Sequence, residues 1–151
     1  MAGQSKAHKN VIGVNMKYRT ILAVAIVLSC IIACKRQPIG TFAYSIPANS
    51  AYSQITDKQM HDAITKGLHE CGWTFTETSQ NLISATLIAK GKHTVFVYIP
   101  YSSTHYEIKY KDSAHLKYKR KDDGTEQIHK AYNQWVSTLN RSIQAHLSST
   151  L

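Results

Sequence analysis

The histidine side chains of this sequence could bind a metal ion or act as acids and bases, but their spacing limits which of them can act at one site. The chain has 151 residues, eight of them histidines. His61 and His69 are eight residues apart on a predicted helix, about 12 Å along its axis, so they cannot bind one metal ion. The sequence contains no HExxH motif, phosphate-binding glycine loop, nucleophile elbow or paired catalytic carboxylates. We therefore expect a protein that is not an enzyme and that needs neither a metal nor another cofactor.

One polar cluster could still build a small site at the rim of a helix. His129, Tyr132 and Asn133 follow one another closely in a segment with helical periodicity. In one interpretation the three side chains form a polar site. In the other, Tyr132 belongs to the core, and His129 and Asn133 only donate and accept hydrogen bonds at its rim. The spacing of these residues favours the second interpretation.

An apolar run follows the basic residues Lys17 and Arg19 near the start of the chain. The run covers residues 21–33 and is 13 residues long. A helix that crosses a bilayer needs about 20 apolar residues, whereas a short apolar run behind basic residues is typical of a secretory signal peptide. We interpret residues 1–33 as such a signal peptide, with Met16 favoured over Met1 as the start of translation.

The end of this run, Ile31-Ile32-Ala33-Cys34, resembles the lipobox of bacterial lipoproteins. Ile32 is larger than the residue that this family prefers at that place. The resemblance implies that the thiol of Cys34 receives a diacylglycerol, that the chain is cut before Cys34, and that the new amino terminus is acylated, for example with palmitate. Cys30 is a weaker alternative. Because Lys35 rather than Asp follows the cysteine, the resemblance also implies the outer membrane, with the protein facing the periplasm.

Composition and charge exclude several classes of protein. A chain of this length makes one domain, and 43% hydrophobic with 18% charged residues is typical of a globular fold. The formal net charge is +9, but four of the 18 basic residues and none of the nine acidic ones lie in residues 1–33, which leaves +5. This charge admits an anionic partner. An exported domain rarely meets nucleic acid, so we do not expect nucleic-acid binding. Cys71 would be the only cysteine left besides Cys34, which excludes an intramolecular disulfide.

Hydrophobic periodicity predicts an α+β fold, a two-layer sandwich of an antiparallel meander of four to five strands with two amphipathic helices on one face. Residues 34–40 are expected to be the lipidated cysteine and its tether, and residues 41–151 a single domain. Thr56 and Gln59 form a capping box at the start of the first helix, and Gly67 should let that helix approach the sheet closely. The predicted elements are a strand over 41–46, a helix over 56–71, strands over 73–76, 82–90, 93–99 and 105–111, a short strand over 116–119, and a helix over about 126–147.

Two side chains are expected to be central in the core, Leu68 on the first helix and Trp135 on the second. Cys71 should also be buried, on the apolar face of the first helix. The apolar stripe of the final helix is predicted to contain seven residues: Ile128, Ala131, Tyr132, Trp135, Leu139, Ile143 and His146.

One face of the sheet is expected to be exposed, aromatic and basic. Period-two alternation turns Val95, Val97 and Ile99 toward the core and the residues between them outward. We therefore predict a candidate binding surface for an anionic glycan or glycolipid, formed by Phe96, Tyr98, Lys109 and Lys111. The alternative is that these residues only stabilise the sheet and keep it soluble, or are covered by the amino-terminal strand.

A second resemblance concerns the region from about Pro38 to Leu147. Its residues Tyr106-Glu107-Ile108-Lys109-Tyr110, with Gly72-Trp73, His93 and Trp135, are similar to a family of small uncharacterised lipoproteins of Gram-negative bacteria. The resemblance implies an envelope location and assigns no catalytic residue. The sequence thus favours a lipid-anchored binding or adaptor domain over a structural subunit of an envelope assembly, and both over a periplasmic hydrolase.

Overall fold

A computed structural model of the chain describes residues 36–47 and 55–149. The predicted signal peptide and Cys34 lie outside these residues. No helix among the described residues is long and apolar enough to span a membrane. The elements are β1 (Arg36–Pro38), β2 (Phe42–Ser45), α1 (Asp57–Glu70), β3 (Thr74–Ser79), β4 (Leu82–Ala89), β5 (His93–Pro100), β6 (His105–Ala114), β7 (Lys119–Arg120), β8 (Glu126–His129) and α2 (Ala131–Ser148).

The main sheet has five antiparallel strands in the order β2-β6-β5-β4-β3. Strands β3 to β6 form the predicted meander, and β2 joins its edge by pairing with β6. The β3–β4 and β4–β5 turns contain residues with positive φ, Asn81 at 59° and Lys90 and Gly91 at 53° and 68°. Such backbone angles suit tight connections between antiparallel strands.

Both helices pack against the same face of this sheet, so the predicted α+β architecture is confirmed. On β5, Val95, Val97 and Ile99 are fully buried, as the alternation predicted. Their neighbours on β4 and β6 belong to the same core, which is one continuous cluster. The two helices also contact each other along their length. Leu68 on α1 is fully buried within this cluster, as expected.

Helix α1 begins and ends where the sequence predicts. The Thr56 hydroxyl accepts a hydrogen bond from the Gln59 amide at 3.2 Å, and the Gln59 side chain accepts one from the Thr56 amide at 2.9 Å. Gly72 follows the C-cap with a φ of 72°. Gly67 lies at a close approach, but its neighbour is Ile143 of α2 and not the sheet. A Cβ at Gly67 would be 3.0 Å from the backbone nitrogen of Ile143.

A second, three-stranded sheet of order β1-β8-β7 was not predicted, and it changes two boundaries. Arg36–Pro38, expected in the tether, pairs with β8, so residues 36–38 already belong to the fold and the boundary at 41 was wrong. Glu126–His129, expected as the first turn of the final helix, is β8. A strand forms there because β1 and β7 supply hydrogen-bonding partners on both sides, which the local periodicity does not reveal. The predicted strand over 116–119 was wrong except at Lys119, since the strand found there, β7, covers Lys119–Arg120.

The core side of α2 differs from the predicted stripe. Trp135 was expected at its centre but is only half-buried, and its ring centroid lies 6.2 Å from that of His93. His146 is also half-buried, and Cys71, expected in the core, is partly buried at the C-cap of α1. The stripe is rotated because the helix begins at Ala131 and faces α1 as well as the sheet. Its buried residues are Tyr132, Val136, Leu139, Ile143 and Leu147.

We predict that Gly67→Ala destabilises the protein by ~1–3 kcal/mol, although alanine favours a helix over glycine by only ~1 kcal/mol. The added methyl group would force the backbones of α1 and α2 apart. Urea unfolding would measure the change. Lys66→Ala, on an exposed position of the same helix, is the control and should change the free energy of unfolding by less than ~0.5 kcal/mol. A Gly67→Ala protein as stable as the parent would contradict this account.

Candidate functional site

The candidate binding surface lies on the face of the sheet opposite the helices. Tyr98 on β5 is directly opposite Lys109 on β6, and Phe96 is opposite Asp112. Lys111 lies at an irregularity between these pairs, because Val97 is opposite Tyr110 and one residue of β6 is therefore unpaired. Such a bulge increases the local twist and redirects a side chain. The ammonium group of Lys111 lies 4.4 Å from the centre of the Tyr98 ring.

The four predicted residues therefore come together on one face, which we call the outer face. Phe96 and Tyr98 are half-buried there, and Lys109 and Lys111 are exposed. The described helices pack on the other side of the sheet. A flat aromatic surface beside two ammonium groups can contact an amphipathic molecule and attract its negative charge.

The outer face also carries acidic groups, which reduce its positive charge. Lys109 forms an ion pair of 3.0 Å with Glu107, two residues earlier on the same strand. Asp112, opposite Phe96, was not singled out by the sequence analysis. An anionic ligand that binds Lys109 must compete with Glu107, whereas Lys111 forms no ion pair with a carboxylate among the described residues.

Ile88 is an apolar residue of the outer face that the sequence analysis missed. It is opposite Thr94 and diagonal to Phe96, and it is 68% exposed. The signal was present in the alternation of β4, where Ile83 and Ala85 are buried and even-numbered positions point outward. With Phe96 and Tyr98 it extends the apolar part of the outer face.

The second candidate site divides into a core residue and two rim residues. Tyr132 is fully buried and its ring packs edge-on against Tyr110, with centroids 5.5 Å apart. Burial raises the pKa of the Tyr132 hydroxyl, which has no hydrogen-bond partner among the described residues. Asn133 accepts a hydrogen bond from the Gly40 amide and donates one to the Pro38 carbonyl, both at 2.9 Å. Asn133 therefore holds the amino-terminal segment against α2.

His129 is surrounded by basic groups. Its ring stacks on that of His93, with centroids 6.5 Å apart and planes 10° apart. Its Nδ1 accepts a hydrogen bond from the Ala131 amide at 3.2 Å. Desolvation lowers the pKa of His129, and the neighbouring basic groups Lys117, His93, Lys130 and Lys90 lower it further. This environment favours the neutral form of His129 over the charged one.

A polar group that the sequence analysis missed connects the ends of the helices. Glu70 on α1 accepts hydrogen bonds from the Ser142 hydroxyl and from Nε2 of His146, the latter at 3.2 Å. Both partners lower the pKa of Glu70. Burial raises the pKa of the neighbouring Cys71 thiol, so the thiolate nucleophile is disfavoured. The hydrogen bonds of Glu70 with Ser142 and His146 connect α1 to α2.

Metal binding has no support among residues 36–47 and 55–149, which bring no three histidine, cysteine or acidic side chains together in a metal-binding arrangement. His61 instead contacts Glu77 at 2.8 Å through Nε2, and His69 is exposed. In comparisons with known proteins, no family model, no curated protein and no solved structure matches this chain.

We predict that Asn133→Ala destabilises the protein by ~1–3 kcal/mol, because a partly buried amide and a carbonyl lose their partner. Exchange of the Gly40 amide hydrogen, followed by NMR, should become faster. Gln134→Ala, at the exposed neighbouring position, is the matched control and should leave this rate unchanged. Unaltered protection of Gly40 in Asn133→Ala would show that the hydrogen bond does not hold the segment.

Proposed function

We propose that this chain is a lipid-anchored envelope protein, held at Cys34 in the outer membrane and facing the periplasm. The observation that supports it is in the sequence, where the apolar run of residues 21–33, behind Lys17 and Arg19, ends directly before Cys34. The first described strand starts at Arg36, two residues after Cys34. Cleavage before Cys34 would therefore remove the apolar leader without removing any described element. Two or three acyl chains, at ~0.8 kcal/mol for each buried CH₂ group, would hold the domain permanently.

The activity that we propose for the anchored domain is binding, without catalysis. The outer face would be the binding surface, and its ligand an anionic glycan or the phosphorylated sugar of a glycolipid. The observation that carries this proposal is the juxtaposition of Tyr98, Lys109 and Lys111 on a face that the described helices leave open. The rings would contact the apolar faces of sugar units, and the lysines would pair with phosphate or carboxylate groups.

The geometry gives the two lysines different parts in this binding. Lys111 is already held over Tyr98, so little side-chain entropy is lost when an anion approaches it. Lys109 must break its ion pair with Glu107 before it can pair with the ligand. Lys111 would therefore provide the larger part of the affinity, and Glu107 would disfavour ligands whose negative charge is weak.

A second candidate function is a structural accessory subunit of an envelope assembly, bound to another envelope protein. The exposed side chain of Ile88, at 68%, favours it, because apolar groups in the centre of an interface are typical of protein partners. Co-purification after detergent extraction would distinguish the two functions: a stoichiometric protein partner that is lost in Ile88→Lys supports the subunit. A periplasmic hydrolase is the third alternative, and no catalytic arrangement among the described residues supports it.

The anchor is tested by labelling cells with a palmitate analogue and analysing the purified protein by mass spectrometry. We expect the mature amino terminus at Cys34 with a diacylglycerol on its thiol. Cys34→Ala should accumulate as an uncleaved precursor without label, whereas Cys30→Ala, the matched control, should be processed normally. Normal processing of Cys34→Ala would refute the anchor.

The binding surface is tested by titrating the domain from Lys35 onward with deacylated, phosphorylated glycolipid fragments and with their dephosphorylated counterparts. Lys109→Glu with Lys111→Glu should weaken binding of the phosphorylated fragment at least about tenfold, because two charge-assisted contacts are lost. Lys119→Glu with Lys121→Glu makes the same change in net charge elsewhere and is the control. Equal affinity of both double variants, with unchanged melting, would exclude the outer face as the binding site.

A further inference from the structure

A second basic surface lies around β1 and the end of β8, away from the lysines of the outer face. We call it the basic cluster. It is built from four separate segments of the chain: the start of β1, the β4–β5 turn, the connection between β6 and β7, and the junction of β8 with α2. Its residues are Arg36, Lys90, His93, His115, Lys117, His129 and Lys130.

Specific contacts hold these segments together. Arg36 is opposite His129 in the β1–β8 pair, and its Nε donates a hydrogen bond of 2.9 Å to the Lys117 carbonyl. His93, just after the β4–β5 turn, stacks on His129, and its Nδ1 is 3.0 Å from the His115 carbonyl oxygen. The cluster is therefore defined by backbone pairing and ring stacking, independently of the flexible ends of its lysines.

Among the residues that the structure describes, no side chain of the basic cluster forms an ion pair with a carboxylate. The charged groups that act on His129 are Lys117, His93, Lys130 and Lys90, all of them basic. Arg36, Lys90 and Lys117 are exposed, so they can meet a partner without rearrangement. By contrast, Lys109 on the outer face pairs with Glu107, and Lys58 on α1 pairs with Asp62 at 2.8 Å.

The position of the basic cluster along the chain indicates what it meets. Arg36 is two residues after Cys34, and two residues of extended chain span at most ~7 Å. This is shorter than the Debye length of ~8 Å at physiological ionic strength, so charges at Arg36 act on groups at the attachment point with little screening.

We infer that the basic cluster rests on the phosphate headgroups of the membrane leaflet that holds the Cys34 lipid, and so fixes which side of the domain faces the bilayer. This inference depends on the proposed anchor for its biological setting. Its physical content, binding of this surface to an anionic phospholipid bilayer, does not require the lipid on Cys34. Each lysine near such a bilayer strengthens binding about fivefold.

The test uses the unlipidated domain from Lys35 onward, since Arg36–Leu151 forms one compact unit with a continuous core. It is mixed with vesicles of phosphatidylcholine, or of phosphatidylcholine with phosphatidylglycerol, and bound protein is measured by sedimentation. Binding is expected to the anionic vesicles alone and should weaken as salt is raised. Lys90→Gln with Lys117→Gln should reduce it about 25-fold.

The matched control is Lys58→Gln with Lys66→Gln, which removes the same charge from α1. Lys58 lies at the start of α1, beside the β3–β4 turn, where Asn81 binds Asp57 at 3.0 Å, at the opposite end of β4 from Lys90. Lys66 is on an exposed position of the same helix and is not part of the basic cluster. This variant should lose less than about twofold in binding. Equal losses in the two variants, equal binding to neutral vesicles, or no binding to anionic vesicles would each overturn the inference. Such a result would leave the anchor intact, because acylation of Cys34 is measured separately.

Discussion

The close contact between α1 and α2 at Gly67 is the constraint on which the rest of the fold depends. A side chain at Gly67 would collide with the backbone of Ile143, so only glycine lets the two helices lie this close together. Held together in this way, both helices fit on one face of a five-stranded sheet and bury one continuous core. Neither of the two described helices covers the opposite face, which leaves the aromatic and basic residues of β5 and β6 there partly or fully exposed.

The amino-terminal segment is attached by a different kind of interaction. Its strand β1 is only three residues long, and it has no buried side chain of its own. It is held by backbone pairing with β8 and by the Asn133 side chain, which binds the backbone on both sides of Ile39. Hydrophobic burial thus determines the main sheet, while directional hydrogen bonds determine where the chain enters the domain.

The sequence was sufficient for the elements whose periodicity reflects local burial. The capping box of α1 and the alternation along β5 each depend on neighbouring residues, and both were predicted correctly. The start of α2 was predicted wrongly. Burial of Ile128 fits a helix that begins at residue 126, and it fits equally well a strand in which Ile128 alternates with Gln127 and His129. Only pairing with Arg36–Pro38, about ninety residues away in sequence, decides between them. Trp135 was misplaced for another non-local reason, since how deeply its side chain is buried depends on the direction from which α1 packs.

The candidate sites show the same division. Alternation was enough to place Phe96, Tyr98 and Lys109 on one face, and it also contained the information for Ile88. It could not show the bulge that brings Lys111 over Tyr98, nor the basic cluster, whose members come from four segments that meet only in the folded chain. A run of basic residues can be read from a sequence directly. A group of basic residues that come from separate segments and meet only in the folded chain cannot.

The direct entry of the chain into β1 has a mechanical consequence. Any pull on the chain before Arg36 is transmitted at once to the three residue pairs that β1 forms with β8, and through Asn133 to α2. Because β8 runs straight into α2, the load passes to the core helix with no slack segment to absorb it. Tension on the chain before Arg36 would therefore strain this small sheet first, because β1 is held by only three residue pairs and buries no side chain.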